Sequence, residues 1–194
     1  MNTVYTETFP LTPIDRREVA RYCGIKEIDA QTSKLCEECI AKAQNKIQNR
    51  VCYCTVDIKF DSGELDFGFF KTNSKLLVNH LENCKKAVIF AATVGIEIDR
   101  LIAKYSKISP SKAVMLGAIG AERIEALCDA FQDKVKHEYK DIVPRVSAGY
   151  GDIPLIMQKD IFSLLNPPKN IGLTLNESLL MSPTKSVTAV IGIK

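Results

Sequence analysis

One segment of this chain is apolar on both of its faces, and it constrains the fold more than any other. Residues 86–93 place six apolar residues in succession between a lysine and a threonine. Successive side chains of a strand point to opposite faces of a sheet, so this pattern predicts a strand that is covered on both sides. The rest of the chain must therefore supply cover for two faces.

Helices are predicted where apolar residues recur at intervals of three and four. The two longest cover about residues 30–49 and 109–139, and Ser109-Pro110 is a typical helix start. The second has a predicted apolar stripe, and its small residues Gly117, Ala118 and Ala121 predict close packing against a neighbour. The stripe consists of Val114, Ala118, Ala121, Ile124, Cys128, Phe131 and Val135. Shorter helices are predicted at about 12–23, 74–84, 96–105 and 159–165.

Alternation of apolar and polar residues predicts the remaining strands. Residues 52–60 alternate, Asp61-Ser62-Gly63 forms a turn, and residues 65–69 return as the second strand of a hairpin. Residues 186–193 are predicted to form the closing strand. Hairpins mixed with long helices indicate an α+β fold in one domain over 1–194. That domain divides into a helical and hairpin part, 1–84, and a second part, 85–194.

Composition excludes several functional classes. Lys and Arg number 26 and Asp and Glu number 23, which leaves a formal net charge of +3 at pH 7. So small an excess argues against a nucleic-acid partner. The first ten residues, MNTVYTETFP, lack the basic and apolar regions of a secretory signal, and no apolar run approaches the length of a membrane span. The sequence therefore indicates a cytoplasmic protein with no membrane partner.

Seven cysteines are unusual for such a chain, and two interpretations of them stay open. Cys36-x-x-Cys39 and Cys52-x-Cys54 could supply four thiolates to a metal, or a thiol-based redox site. However, the first pair lies on the apolar stripe of a predicted helix, and the second lies on the inward face of a predicted strand. Free cysteine behaves there as a small buried hydrophobe. The pattern favours core residues over a metal site.

Residues 145–154, Arg-Val-Ser-Ala-Gly-Tyr-Gly-Asp-Ile-Pro, have the composition of either a turn or a binding loop. Arg145 supplies a planar, permanently charged fork that suits a carboxylate. Ser147, Ala148 and Gly149 are small and leave their backbone accessible, while Tyr150 offers a ring and a hydroxyl. Glu125 falls on a packing face of the long helix, where a carboxylate must be paired, hydrogen-bonded or functional.

This segment resembles the Arg-x-x-x-Gly-Tyr-Pro signature of the activation domain of cobalamin-dependent methionine synthase. Further similar motifs follow in the family's order: Leu175-Asn176-Glu177-Ser178, Met181-Ser182-Pro183 and Ser186-Val187. Upstream, Ala92-Thr93-Val94-Gly95-Ile96-Glu97 is similar to the family's strand and Thr-Gly-Gly-Leu-Glu turn. The resemblance covers about residues 85–194. It implies a twisted, mostly antiparallel sheet with flanking long helices.

The resemblance also implies a function in methionine biosynthesis. Family members bind S-adenosylmethionine and dock over the cobalamin of methionine synthase when it is oxidised to cob(II)alamin. A flavodoxin- or ferredoxin-type donor then supplies an electron, and S-adenosylmethionine remethylates the cobalt. The cobalamin is expected on the partner subunit. This chain is expected to be a free-standing accessory subunit rather than a complete enzyme.

Residue roles follow from the same resemblance. Arg145 is expected to pair with the methionine carboxylate, and the backbone of Ser147 and Ala148 to contact the adenosine part. Gly149 is expected to be a further ligand-binding residue. Tyr150 is expected near the sulfonium, with Glu125 lining the same cleft.

Two positions differ from the family pattern. Gly151 stands in place of the proline of Gly-Tyr-Pro, and Ile191-Gly192 stands where the family has an aromatic pair. A second hypothesis is therefore an interaction module that docks on a corrinoid protein without binding the ligand. The cysteine-based site is a third.

Overall fold

The computed structural model of the protein describes residues 3–194 and has an α+β architecture. Its helices are Arg16–Tyr22 (α1), Ala30–Ala43 (α2), Lys75–Leu81 (α3), Glu97–Ser106 (α4), Pro110–Tyr139 (α5), Met157–Leu165 (α6) and Pro167–Ile171 (α7), with a 3₁₀ turn at Gln44–Lys46. Its strands are Tyr5–Thr8 (β1), Arg50–Asp57 (β2), Lys59–Asp61 (β3), Glu64–Asp66 (β4), Lys71–Thr72 (β5), Lys86–Thr93 (β6), Ile142–Ser147 (β7), Thr174–Leu175 (β8), Met181–Ser182 (β9) and Ser186–Ile193 (β10).

A five-stranded antiparallel sheet organises the molecule, in the order β1-β2-β6-β10-β7. The predicted two-sided strand, β6, is its centre and is buried everywhere except at Lys86. Val88 and Phe90 point into one hydrophobic cluster, and Ile89 and Ala91 point into the other. Both the α+β class and the mostly antiparallel sheet are confirmed.

Different elements cover the two faces of the sheet. Helices α1, α2, α4 and α5 contribute to the cluster on one face, through residues such as Val19, Cys39, Leu101 and Phe131. We call this the α5 face. Helices α3, α6 and α7 cover the other face together with β4 of the small sheet β3-β4-β5. The two layers supply the cover that the apolar pattern of β6 requires.

The predicted hairpin at residues 52–69 is right only at its tip. Strands β3 and β4 pair as expected, with Lys59 opposite Asp66. The longer strand β2 instead leaves the hairpin and pairs with β1 and β6 in the main sheet. The chain changes sheets at Ile58, whose N–H donates to the Lys85 carbonyl at 3.0 Å. Alternation reports which side chains are buried, but it does not identify the partner strand.

Helix α5 has the predicted bounds, but the predicted stripe is wrong at its start. Val114 is 59% exposed, and Gly120 rather than Gly117 marks the close approach. A Cβ at Gly120 would lie 2.8 Å from Ile98 Cγ2 on α4, whereas a Cβ at Gly117 would meet nothing within 4 Å. The packing of α4 at Gly120 adds to the buried surface of α5, and most of the predicted stripe is also buried. Within residues 3–194, no helix combines the length and apolarity of a membrane span.

A buried ion pair fastens the N-terminal segment to α5. Glu122 and Arg123 are adjacent on α5 and only 5% and 2% exposed, and their side chains form a salt bridge. Arg123 also donates to the carbonyls of Thr12 and Pro13, while Glu122 accepts from the Asp15 N–H at 3.0 Å. Asp15 is the N-cap of α1, so this helix begins at Arg16 rather than near residue 12. A buried pair of this kind is sustained by such additional hydrogen bonds.

The two glycines of α5 give a matched test of this packing. We expect Gly117→Ala to stabilise the protein by about 0.5–1 kcal/mol, because alanine lowers the entropy cost of helix formation and meets no neighbour. Gly120→Ala should destabilise it by about 1–3 kcal/mol, because the new methyl group overpacks against Ile98 and Lys185. Urea denaturation of the two variants measures the change in the free energy of unfolding and its sign in each. Equal effects of the two substitutions would contradict the packing described.

Candidate functional site

The first part of the predicted binding segment is strand rather than loop. Arg145 and Ser147 lie on β7, the edge strand of the sheet. Pairing between β7 and β10 extends as far as Ser147 opposite Ala189. Beyond that point the chain turns away, so the edge of β10 at Val187 has no β7 residue opposite it. The sheet is therefore locally one strand short, and a cleft opens there.

A compact turn follows β7. Its two glycines, Gly149 and Gly151, have φ angles of +84° and +59°, in the region that favours glycine. The Gly149 N–H donates to the Ile153 carbonyl at 3.0 Å, and the Ile153 N–H donates to the Tyr150 carbonyl at 3.0 Å. This arrangement leaves Tyr150 at the tip of the turn, 65% exposed. The turn thus presents an aromatic ring beside the open edge of β10.

Four of the six predicted site residues line a single cleft of about 530 Å³: Glu125, Arg145, Ser147 and Tyr150. The remaining two lie elsewhere in the turn. Ala148 packs against the cluster on the face opposite α5, and Gly149 packs under Leu155. Leu76, His80, Val146 and Val187 complete the lining of the cleft.

Arg145 is already engaged by two carboxylates of α5. Its Nη2 donates to Glu125 Oε2 at 2.8 Å and its Nη1 donates to Asp129 Oδ1 at 2.6 Å. Burial alone would lower the pKa of the Arg145 guanidinium, but the hydrogen bonds to Asp129 and Glu125 outweigh it and raise the pKa. The backbone N–H of Arg145 donates to Gln132 Oε1 at 2.8 Å. Glu125 and Asp129 are one helical turn apart, which lets both reach one guanidinium.

Asp129 was missed by the sequence argument, although a helical spacing of four from Glu125 could have suggested it. The opposite wall of the cleft was missed entirely. It is formed by α3, which supplies Leu76 and His80 from a part of the chain distant in sequence. Asp152, at the end of the turn, hydrogen-bonds the N-terminus of α3. No local pattern in the sequence connects α3 with residues 145–152.

The four cysteines of the metal hypothesis lie on opposite faces of the sheet. Cys36 and Cys39 belong to the cluster on the α5 face, and Cys52 and Cys54 belong to the other cluster. They cannot converge on one ion, and no group of His, Cys, Asp or Glu in the described part of the chain is arranged to hold a metal. The core interpretation of these residues is confirmed, and the shared thiolate site is wrong.

Comparison with known proteins agrees with the fold. A family model described as the activation domain of vitamin B12 dependent methionine synthase matches residues 77–193. A solved structure described as the MetH reactivation domain bound to AdoHcy has a TM-score of 0.73 at 14% sequence identity, over 98% of this chain and 78% of that chain. A search of curated proteins finds no match.

These findings define the class of protein. The sheet, its two helical layers and the long α5 are the fold of a methionine synthase reactivation domain. The family match covers more than half of the sequence. This chain belongs to the family of activation domains of vitamin B12 dependent methionine synthase. The resemblance noted in the sequence is confirmed.

The buried thiols yield a further test of the core interpretation. Burial raises the pKa of Cys39 and Cys54 to about 11 and that of Cys52 and Cys128 to about 12. At pH 8 a thiol with pKa 11 is thiolate in only about one molecule in a thousand. We expect iodoacetamide at pH 8 to modify these four residues about 100-fold more slowly in the native protein than in urea. Rapid native labelling, read by peptide mass mapping, would contradict their burial.

Proposed function

We propose that this protein binds S-adenosylmethionine in the cleft between α3 and α5 and docks on the cobalamin-bearing chain of methionine synthase. There it supports reductive remethylation of the cob(II)alamin state, with an electron from a flavodoxin- or ferredoxin-type donor. Family membership supports the general role. The observation that carries the ligand is the convergence of Glu125, Arg145, Ser147 and Tyr150 on one cleft.

Arg145 retains donors for a ligand carboxylate. A guanidinium has five N–H groups in a planar fork, and the hydrogen bonds to Glu125 and Asp129 use one on each terminal nitrogen. The ligand's carboxylate approaches the remaining donors, while its ammonium group approaches the acids. The existing ion pairs fix the orientation of the fork before the ligand arrives. Such preorganisation reduces the cost of binding.

Charge in the cleft favours the sulfonium form of the ligand. Glu125 and Asp129 oppose the single positive charge of Arg145, so this cluster carries one net negative charge. S-adenosylmethionine carries one more positive charge, on sulfur, than S-adenosylhomocysteine. At about 5 Å in a partly exposed cleft, this attraction corresponds to roughly tenfold tighter binding. Glu125 and Asp129 thus give the site a preference for the methyl donor over the demethylated product.

The adenosine part has a polar surface available to it. The backbone of Ser147 and Ala148 lies where β7 separates from β10, and the edge of β10 at Val187 has no strand opposite it. Exposed strand edges offer N–H and C=O groups to a ligand. Tyr150, at the tip of the turn, lies beside this edge, where its ring can cover the sulfonium and ribose.

Docking is assigned to the apolar rim around the turn. Tyr150, Leu155 and Ile156 are exposed large hydrophobic residues that are close in sequence, and Leu155 packs against Gly149 in the turn. Apolar residues grouped at the mouth of a polar cleft suit a protein partner. When bound, S-adenosylmethionine supplies the methyl group that the partner's reduced cobalamin accepts. The rim then excludes water from the cleft mouth.

One observation favours the second hypothesis, an interaction module without a ligand. Both terminal nitrogens of Arg145 already donate one hydrogen bond each to α5 in the protein alone. The cluster could therefore serve only to fasten β7 to α5. Binding measurements separate the two hypotheses directly.

Isothermal titration calorimetry with S-adenosylmethionine tests the ligand. The wild type should bind it, and bind S-adenosylhomocysteine about tenfold more weakly at low salt. Arg145→Ala should weaken binding by at least about tenfold. Arg145→Lys should weaken it less, because lysine keeps the positive charge, but it should not restore full affinity, because it lacks the planar fork. Arg100→Ala, at an exposed arginine of α4, serves as the control. Absence of binding by a folded wild type would reject the ligand and favour the interaction module.

Docking is tested with a corrinoid-binding chain of methionine synthase. We expect Ile156→Glu to weaken its capture by about tenfold or more, because a charge would be buried in the apolar rim. Ile108→Glu places the same charge at an exposed isoleucine between α4 and α5 and should leave capture unchanged. Surface plasmon resonance compares the two variants. Equal losses would mean that the partner does not recognise the rim.

A further inference from the structure

Helix α3 contacts the binding segment at both ends of that segment. Residues 144–152 include every backbone group and side chain that the proposed site takes from β7 and its turn. Pro144, at the start, and Asp152, at the end, each hydrogen-bond α3 or its N-cap. Their partners, His80 of α3 and the N-cap Ser74, lie 64 and 78 residues away in sequence, respectively. A seven-residue helix thus spans the whole segment.

Asp152 holds the C-terminal end of the segment. Its Oδ1 accepts from Ser74 Oγ at 2.5 Å and from the Leu76 N–H at 3.2 Å, and its Oδ2 accepts from the Lys75 N–H at 2.8 Å. These N–H groups belong to the first turn of α3, where a helix has no internal acceptors. The hydrogen bond from Ser74, with those from the backbone, lowers the pKa of Asp152. Its carboxylate therefore stays charged and bound across the neutral range.

His80 holds the N-terminal end. Its Nε2 lies 2.7 Å from the Pro144 carbonyl oxygen, one residue before Arg145. A carbonyl oxygen only accepts, so Nε2 must carry the proton and donate it. His80 also lines the cleft, as does Leu76 one turn earlier on α3. The same face of α3 therefore forms both the wall of the cleft and the contact with β7.

Leu76 sets the distance between α3 and the turn. A Cβ built on Gly151 would lie 2.7 Å from Leu76 Cδ1. The turn therefore packs directly on α3, and a larger residue at this position would displace the Leu76 side chain. Gly151 also has a positive φ angle that other residues rarely adopt. Together these contacts fix the position of the turn relative to α3.

We propose that α3 positions the binding segment, with His80 and Asp152 as positioning residues that hold Arg145, Ser147 and Tyr150 in place before any ligand arrives. Helix α5 holds the same segment from the other side, through the side chain and the N–H of Arg145. The segment is thus fixed between two helices. This inference rests on the proposed function for the identity of the ligand, whereas the ordering of the segment is a property of the free protein.

The inference is tested with three variants, His80→Ala, His80→Gln and Asp152→Ala. Two measurements are made on each variant. The matched controls are His137→Ala and Asp133→Ala, at exposed residues of α5. The first measurement is S-adenosylmethionine affinity by calorimetry. The second is hydrogen exchange of the Gly149 and Ile153 amides in the ligand-free protein, whose hydrogen bonds define the turn. Melting temperatures establish that each variant is folded.

We expect His80→Ala and Asp152→Ala to weaken affinity by about tenfold and to speed exchange of the turn amides by about tenfold or more. His80→Gln should restore both, because its amide can donate to Pro144 as Nε2 does. A purely structural histidine would change the melting temperature without this selective loss and rescue. Neither control should change affinity or exchange.

Other outcomes also decide the inference. Wild-type affinity in both alanine variants overturns it. If the wild type does not bind S-adenosylmethionine, the proposed ligand is rejected, and the positioning role is judged from hydrogen exchange alone. Unchanged exchange rates of the turn amides in the alanine variants overturn that role, and faster exchange supports it. If Asp152→Ala does not fold, the three-way comparison of histidine, glutamine and alanine at position 80 carries the test.

Discussion

The burial of β6 on both faces is the constraint on which the rest of the structure depends. A strand that exposes only Lys86 needs a neighbouring strand on each side and a layer on each face. Strands β2 and β10 supply the neighbours, and the helices with the small sheet supply the layers. Because the centre of the sheet is filled in this way, a ligand can reach the sheet only at an edge. The cleft lies at one of them, where β7 stops short of the end of β10.

The N-terminal third of the chain completes this architecture although the family match begins only at residue 77. Strands β1 and β2 extend the sheet beyond β6, and α1 and α2 cover part of the α5 face. The buried Glu122–Arg123 pair makes the connection specific, since it binds the backbone at Thr12, Pro13 and Asp15 and also the Thr12 hydroxyl.

Features that depend on local periodicity could be predicted from the sequence, and features that depend on long-range partners could not. The bounds of β6 follow from its continuous apolar run and those of α5 from a period of 3.6, while β10 also has its predicted bounds. The family motif at residues 145–154 was recognisable from its own residues. Strand β2 pairs with β6, whose residues lie 29 to 43 positions further along the chain, so the prediction of the hairpin was wrong beyond its tip. Gly117 and Gly120 differ only in what α4 places against them. The wall formed by α3 depends on Asp152 and His80, whose partners no spacing rule connects.

The proposed site combines an engaged arginine with an ordered segment, and a different helix is responsible for each of these two properties. Glu125 and Asp129 fix the Arg145 fork from α5, while α3 fixes the backbone that carries it. In the proposed function, the ligand exchanges partners within an existing set of charges instead of ordering a mobile loop. We expect the two acids to act on the ligand as well as on the arginine, because their combined charge exceeds that of one guanidinium. We therefore expect binding strength in the proposed site to depend on charge balance across α5 and on position through α3, two contributions that substitutions on separate helices can change independently.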